Sequence, residues 1–406
     1  MNGYTLHGER MTEKSSLPEE SFDLMRNDLL LRWQRVLRIA PPTGLGVARR
    51  AIFFAMLTWL PIVVWAAINQ RLLDDLGNGE PLLRHFGIHV RFLIAIPLFI
   101  VAEAMAGKIL NRIVNQFSRS GIIGDLQQPA FAAAIARVAS FRDSSLPWVA
   151  VIGIAWSWAI GAPVHTDSHD LSWAAADAGL GFGGWWLLYV ARPIFMVLLF
   201  GWIWRIFLII LLFFYIVRLE LSLSPAHPDR VGGLGFLEKL PMALFPVTMA
   251  ISAIVASRWM HDELYHGLKL AELKAPFAVF VVVWCLIVLS PLLMFVPRIL
   301  AMKREALLEY GALLSQHGRL VQRRWILGEN FSSDNATGHD ILDAPELGPV
   351  VDISAIYDAV KSIRPAPISK SSVMMVIVPI LLPMMFVITH EIPLKDLLLK
   401  LLNTVV

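Results

Sequence analysis

The chain alternates long apolar runs with shorter polar segments, and the apolar runs determine its architecture. A run of about 17 to 25 apolar residues can cross the ~30 Å hydrocarbon core of a bilayer as a helix. Seven such runs occur, near residues 51–68, 88–107, 146–163, 185–204, 242–257, 276–297 and 372–390. The pattern predicts an all-α, polytopic transmembrane helix bundle with about seven crossings.

Two of the predicted helices run beyond the membrane. The fourth apolar run continues without a break from Trp185 to Val217, which at 1.5 Å per residue exceeds the bilayer thickness. The sixth helix is expected to continue into a helical cytoplasmic extension, because apolar residues repeat there every seven positions, at Leu300, Leu307, Leu314 and Val321. After this extension, Asp352 is predicted to cap a short helix.

A basic helix is predicted before the first crossing. Apolar residues recur at helical spacing between Phe22 and Ala40, and arginines occupy the other faces. Such a helix lies on an anionic membrane surface or packs against the protein's own loops, and the pattern fits both alternatives.

The charges give the orientation and exclude one class of partner. The chain is 56% hydrophobic and 17% charged, with a net charge of +3, which gives no case for nucleic-acid binding. With the N-terminus inside, the inner segments hold 25 lysines and arginines and the outer segments 8. Because cytoplasmic loops are enriched in these residues, we expect the N-terminus inside, the C-terminus outside, and anionic lipids at the cytoplasmic face.

Four regions follow from these patterns. They are a cytoplasmic N-terminal region (1–50), a bundle of six crossings with a cytoplasmic loop at 205–241 (51–297), a cytoplasmic helical segment with a linker at 331–345 (298–370), and a last crossing with an outer amphipathic tail (371–406). No internal repeat divides the crossings into matching halves. The sequence identifies no cytoplasmic protein partner, and it leaves a homo-oligomer open.

The loop between the fourth and fifth crossings has its own pattern. Gly232, Gly233 and Gly235 can expose backbone N–H groups, and His227 and Arg230 stand beside them. Two alternatives are open: the loop binds an anion such as a phosphate, or it is a rigid elbow in which Asp229 acts as a cap. It is not a nucleotide-binding P-loop, because no Gly-Lys-Ser/Thr follows.

This loop also carries a resemblance. The sequence His227-Pro228-Asp229-Arg230, followed by Gly232-Gly233-Leu234-Gly235-Phe236-Leu237 between apolar helices, resembles a segment of uncharacterised bacterial multi-pass membrane proteins of about this length. The resemblance implies a bacterial inner-membrane location. It implies no activity and no catalytic residue.

Histidines and acids cluster on the predicted outer side. His85 and His89 are one helical turn apart, and Glu263 and His266 are three residues apart. The full candidate set for a divalent transition metal such as Zn²⁺ is His85, His89, His165, Asp167, His169, His261, Glu263, His266 and His390. The alternative is that these histidines are ordinary residues of a lipid–water boundary.

Three charged residues lie within the apolar runs. Glu103 in the second crossing and Arg205 in the fourth fall at a similar depth, so the two can form an ion pair. Arg192, beside Pro193, is the better candidate for contact with a substrate or ion. All three are candidates for an ion or solute path.

The sequence favours a membrane protein that moves a small ion or solute, as a channel or a secondary carrier, over an enzyme. Its support is the charged residues at depth and the prolines that interrupt the crossings. The first alternative is a metal-dependent membrane hydrolase or transferase that uses the outer His, Asp and Glu side chains. The second is a non-catalytic scaffold or sensor.

Overall fold

The computed structural model of the protein describes residues 29–41, 44–73, 81–161, 172–176, 179–327 and 347–391. Its eleven main helices are α1 (Leu29–Val36), α2 (Val47–Ile68), α3 (Phe86–Arg119), α4 (Gln128–Asp143), α5 (Ser145–Gly161), α6 (Phe182–Val217), α7 (Phe245–His266), α8 (Leu270–Leu293), α9 (Val296–Val321), α10 (Leu347–Lys361) and α11 (Lys370–Glu391). Two-residue strands β1 (Ala175–Ala176) and β2 (Gly179–Leu180) pair antiparallel. The predicted linker and outer tail lie outside the described residues.

Among the described residues, six helices are long and apolar enough to cross a membrane, one fewer than the seven crossings that the hydrophobic pattern predicts. They are α2, α3, α6, α7 together with the turns that precede it, α8 and α11. The third predicted crossing corresponds to α5, whose apolar part, Ser145–Trp158, is shorter. At 1.5 Å per residue its 14 residues span about 21 Å, less than a full bilayer core. The predicted class, an all-α polytopic bundle, is confirmed.

Helix α3 forms the centre of the bundle. It packs against α2, α6 and α7, and its inward side chains, such as Phe99 and Leu110, are completely buried. The indole N–H of Trp202 on α6 donates to the carbonyl oxygen of Phe99 at 3.0 Å. Because α3 contacts three neighbouring spans, a polar residue on its inward face is surrounded by protein.

A seam of small residues joins α7 to α11. Ser252 is fully buried and donates its hydroxyl to the carbonyl oxygen of Ile380 at 2.7 Å. One turn earlier, the hydroxyl of Thr248 accepts a hydrogen bond from the Trp284 indole N–H at 2.9 Å. Thr248, Ser252 and Ala256 are spaced four residues apart, and their small side chains let α7 and its neighbours approach closely.

Two prolines are accommodated by widened helical turns. A π turn at Val90–Ala95 precedes Pro97 in α3, and another at Leu187–Ala191 precedes Pro193 in α6. Proline cannot donate the usual i→i−4 hydrogen bond, and a π turn is one of the ways a helix adapts locally. Both spans therefore continue through their prolines.

The N-terminal helix is shorter than the pattern indicates at its carboxyl end. The described part, α1, ends at Val36, and Arg38 then adopts a left-handed backbone with φ of 57°. Leu31 and Gln34 are buried against the rest of the chain, while Trp33 is 60% exposed. The predicted helical continuation to Ala40 is wrong, and one face of α1 packs on the protein itself.

The sixth crossing and the extension are separate helices. Helix α8 ends at Leu293, and α9 begins at Val296 with Pro297 in its first turn. Pro297 has no N–H to donate to the carbonyl oxygen of Leu293, four residues earlier, and its ring crowds that carbonyl, which accounts for the break in the predicted continuous helix. Helix α9 then packs on α10, and the Lys303 ammonium donates to the carbonyl oxygen of Ile363 at 2.7 Å. Helix α10 begins at Leu347, so Asp352 lies inside it and is not its cap.

Candidate functional site

Three charged side chains meet inside the bundle and form the ion triad Arg50–Glu103–Arg205. Arg50 Nη2 lies 2.6 Å from Glu103 Oε2, and Arg205 Nη2 lies 3.0 Å from Glu103 Oε1. Each of the three residues is at most 3% exposed. The expected pairing of Glu103 with Arg205 is confirmed, and two guanidinium groups from α2 and α6 converge on one carboxylate from α3.

Aromatic rings surround Arg205. Its guanidinium carbon lies 5.5 Å from the ring centre of Trp148 on α5 and 5.3 Å from that of Trp202 on α6. A Cβ added at Gly201 would come within 3.2 Å of the Trp148 ring, so the absence of a side chain at this position leaves room for the indole. Cation–π contacts partly replace the hydration that a buried guanidinium loses.

Arg50 is the member of the triad that the sequence pattern misses. It lies in the first turn of α2, and its position in the sequence assigns it to the cytoplasmic N-terminal region. Its Nε donates to the side-chain oxygen of Gln34 on α1, and its Nη1 donates to the carbonyl oxygen of Leu45 at 3.4 Å. The doublet Arg49-Arg50 directly before an apolar run was the available signal, but the inward direction of Arg50 depends on α1.

Arg192 does not join the triad. It is half-buried on α6, 13 residues before Arg205. At 1.5 Å per residue, the two positions are separated by about 20 Å along the helix. The three candidates for an ion or solute path therefore divide into the central Glu103–Arg205 pair and a separate Arg192.

His89 uses both ring nitrogens within the protein. Its Nδ1 accepts a hydrogen bond from the indole N–H of Trp59 at 2.9 Å, which leaves the proton on Nε2. Nε2 lies 3.1 Å from the carbonyl oxygen of Leu82 and donates to it. Because neither nitrogen keeps a lone pair for a metal ion in this arrangement, His89 is a structural residue that ties α2 to α3.

Two other candidate metal ligands do meet. The rings of His85, before α3, and His261, on α7, stack with centroids 6.4 Å apart and an interplanar angle of 24°. His261 also contacts the ring of Tyr265 at 4.8 Å. Within the described residues, no group of three or more His, Cys, Asp or Glu side chains is placed to hold a metal ion.

The rest of the predicted metal set is only partly described. Glu263 lies half-buried on α7, close in sequence to His261. His165, Asp167 and His169 lie outside the described residues. The remaining two, His266 and His390, lie at helix ends, and their side chains are outside the described part of the structure. The metal site stays a prediction.

In the glycine-rich loop, the carboxylate of Asp229 occupies the backbone cradle. Asp229 Oδ1 accepts the N–H groups of Val231 and Gly233 at 2.9 and 3.1 Å, and Oδ2 accepts that of Gly235 at 2.7 Å. His227 Nδ1 also contacts Oδ1 at 2.9 Å. The N–H groups that could bind an external anion are thus engaged by a residue of the same loop, which favours the rigid-elbow alternative.

These contacts shift the acidity of Asp229. Partial burial alone would raise its pKa, but the hydrogen bonds from Val231, Gly235 and Gly233, together with His227, outweigh it and hold the pKa below the ordinary aspartate value. The loop reaches this geometry because Gly232 and Gly233 have φ of 72° and 96°, and Arg230 has φ of 59°.

The elbow is fastened to the segment between α10 and α11. The backbone N–H of Arg364 donates to the carbonyl oxygen of Arg230 at 2.8 Å, and its guanidinium pairs with Glu238 at 2.7 Å. Ser372 donates its hydroxyl to the carbonyl oxygen of Glu238 at 3.0 Å. The conspicuous loop therefore holds the ends of α6, α7 and α11 together.

The fold and the ion triad define a polytopic, all-α membrane protein with a charged centre. Comparison with family models, with curated proteins and with solved structures gives no match. The function must accordingly be argued from the residues of this chain.

Proposed function

We propose that this protein is a secondary carrier or channel for a small anion, with Arg205 as the residue that the anion contacts. The observation that carries the proposal is the ion triad, in which two buried guanidinium groups share the carboxylate of Glu103. Ionisable groups at depth in a membrane bundle are costly and usually mark a substrate or ion pathway. The proposal narrows the small ion or solute of the sequence prediction to an anion.

The triad suggests how an anion is exchanged. Glu103 places a carboxylate against Arg205, so a small monocarboxylate or inorganic anion has the charge and size to compete for the same guanidinium. When the anion displaces Glu103 from Arg205, Arg50 still neutralises the carboxylate, 2.6 Å away. The exchange therefore leaves no buried acid without a cation, which limits its energetic cost.

The side of the membrane on which the triad lies follows from the predicted orientation. The surplus of lysine and arginine in the segments on the N-terminal side supports an inside N-terminus. The resemblance of the glycine-rich loop supports a bacterial inner membrane. In this orientation the triad lies on the cytoplasmic half of the bundle, and Arg192 lies nearer to the outer surface, where we propose it as a second contact.

Flux measurements test this proposal. Purified protein in liposomes should move at least one of acetate, nitrate and chloride faster than protein-free liposomes do. Arg205→Gln should reduce that flux about 10- to 100-fold, the equivalent of one charge-assisted hydrogen bond of about 1.5–3 kcal/mol. Because the Glu103–Arg50 pair remains balanced in this variant, we expect it to fold.

The matched control is Arg218→Gln. Arg218 is exposed just beyond the end of α6, where it contacts the ring of Phe214. Its substitution should leave the flux within about twofold of the unchanged protein. An Arg205→Gln flux equal to that of the control, or no protein-dependent flux for any of the three anions, would remove the proposal.

The scaffold alternative has one observation in its favour. Helix α9 has 26 residues and is about 39 Å long. Its described side chains include three exposed leucines towards the carboxyl-terminal end, Leu308, Leu313 and Leu320. Exposed apolar side chains on a charged helix suit a partner protein or a second copy of the chain. Native mass spectrometry of the unchanged protein and of a Leu308→Glu/Leu320→Glu variant tests whether a second copy of the chain binds here. A dimer of the unchanged protein and a monomer of the variant would support self-association.

A further inference from the structure

A second feature of the described bundle is a cationic groove on its surface. The groove has a volume of about 760 Å³ and lies between α3, the turns before α7, and α11. Its cations are Lys108, Arg112, Arg119 and Lys239. None of the described residues that line it is acidic.

The cations and the apolar residues follow one another along α3. Met105, Lys108, Arg112 and Arg119 are separated by three, four and seven residues, which places them along one face of the helix. From Met105 to Arg119 this face extends about 21 Å. The lining thus combines cationic side chains with apolar ones, among them Met105, Ile109 and Ile113.

Two further apolar residues of the groove belong to membrane spans. Met242 lies early in the span that ends at Tyr265, and Met375 lies early in the span that begins at Lys370. Together with Met105 they offer three flexible, polarisable side chains, which adapt to irregular apolar ligands. The groove therefore runs across the boundary between the apolar bundle and the polar surface.

Three cations of the groove are available for a ligand. Lys108, Arg112 and Lys239 are exposed, and none of them forms an ion pair with an acid in the described part of the chain. Asn115 and Gln116 add amide donors between Arg112 and Arg119. This combination offers positive charge and hydrogen-bond donors to a headgroup and apolar surface to an acyl chain.

We infer that the cationic groove is a binding site for one anionic glycerophospholipid, whose phosphate lies among Lys108, Arg112 and Lys239 and whose acyl chain follows Met105, Met242 and Met375. Charge complementarity and position at the membrane boundary support this occupant over a soluble phosphate. The inference is independent of anion transport, because lipid binding is measured without flux.

Native mass spectrometry of the full chain in detergent tests the inference. The protein is titrated with dioleoyl phosphatidylglycerol and, separately, with dioleoyl phosphatidylcholine, which has the same chains and no net charge. We expect binding of the first lipid to be at least tenfold tighter. The triple variant Lys108→Gln/Arg112→Gln/Lys239→Gln should lose this preference, since each surface cation contributes roughly a factor of five to anionic-lipid affinity.

A triple variant with equal charge loss is the control. Arg304, Arg319 and Lys361 are exposed on α9 and α10 and lie outside the groove. Their substitution by glutamine should leave the preference unchanged. An equal loss in both triple variants would show general surface attraction and overturn the inference, and so would displacement of the lipid by an equal concentration of inorganic phosphate.

Photo-crosslinking checks the position and does not depend on the stability of a variant. Phosphatidylglycerol with a diazirine in its acyl chain, added to the unchanged protein, should label peptides that contain Met242 or Met375. Adducts spread evenly over all spans would contradict a defined site.

Discussion

Arg50 Nη2 and Glu103 Oε2 lie 2.6 Å apart between α2 and α3, and both side chains are almost completely shielded from solvent. Charges buried in this way interact strongly, because little water screens them, but removal from water also costs each of them several kcal/mol. The balance depends on every partner being present. The ion triad is therefore sensitive to loss of its single carboxylate.

Replacing Glu103 by Gln should destabilise the protein by about 3–5 kcal/mol, because it leaves two buried guanidinium groups without a counter-charge. Denaturant unfolding in detergent measures this loss. Glu305→Gln, at an exposed position of α9, is the matched control and should change stability by at most about 0.5 kcal/mol. Equal effects of the two substitutions would contradict the buried triad.

A double-mutant cycle separates the pair from its surroundings. Adding Arg50→Gln to Glu103→Gln removes one of the two uncompensated cations, so the double variant should lose less stability than the sum of the single losses. We expect a coupling of about 0.5–3 kcal/mol, as found for residues in one charged network. Additive losses would mean that Arg50 and Glu103 do not interact.

The sequence predicts the helices well and the triad in part. Long apolar runs specify spans directly, and charges at similar depth in two runs predicted the Glu103–Arg205 pair. Arg50 could not be assigned, because its inward direction depends on contacts with Gln34 and Leu45. Neither could the stacking of His85 on His261, since no local spacing relates residues on separate elements.

The glycine-rich loop shows a different limit. Its glycines predict backbone N–H groups that face an anion, and its sequence offers Asp229 as a possible cap. Whether that anion is external or internal depends on the backbone angles of the loop, including the positive φ values of Arg230, Gly232 and Gly233. Sequence patterns identify which torsions are allowed, but tertiary contacts select among them.

Asp229→Asn should destabilise the protein by about 1–3 kcal/mol at neutral pH, because the amide group of asparagine cannot accept all the N–H groups that the carboxylate does. The pH dependence has a definite sign. Because folding lowers the pKa of Asp229, its contribution is complete above the unfolded-state value of about 4 and is lost as the pH falls through the lower folded-state value. The gap between the two proteins should narrow below about pH 4 in unfolding experiments. A constant gap down to pH 2 would contradict this assignment.

Gly235→Ala tests the close packing in the same loop. An added Cβ would lie 3.0 Å from both Cβ and Oδ2 of Asp229, so the carboxylate must move and its hydrogen bonds weaken. We expect a loss of about 1–3 kcal/mol in unfolding free energy. Gly318→Ala is the control: its Cβ meets nothing within 4 Å in α9, and helix propensity predicts a gain of about 0.5–1 kcal/mol. A Gly235→Ala protein as stable as the control would be inconsistent with the described loop.

The predicted orientation is tested by cysteine labelling. Cys285 is the single native cysteine, so a Cys285→Ala background carries no other thiol. A membrane-impermeant maleimide should label Leu264→Cys in intact cells and should reach Ser315→Cys only after lysis. Leu264 lies near the end of α7 and Ser315 lies in α9, so the predicted orientation puts the two positions on opposite sides of the membrane. The reverse pattern would place the N-terminus outside and the ion triad on the outer half of the bundle.

The most direct test of the central claim, that a small anion reaches Arg205, is the melting temperature of the Glu103→Gln variant in different anions at one ionic strength. An anion that binds between the uncovered guanidinium groups stabilises the folded state by about 2.7 kcal/mol at 100 times its dissociation constant. We predict that acetate, nitrate or chloride raises the melting temperature in a saturable way relative to bulky gluconate, and that the unchanged protein responds much less. Equal melting temperatures of the variant in all four anions would contradict the account.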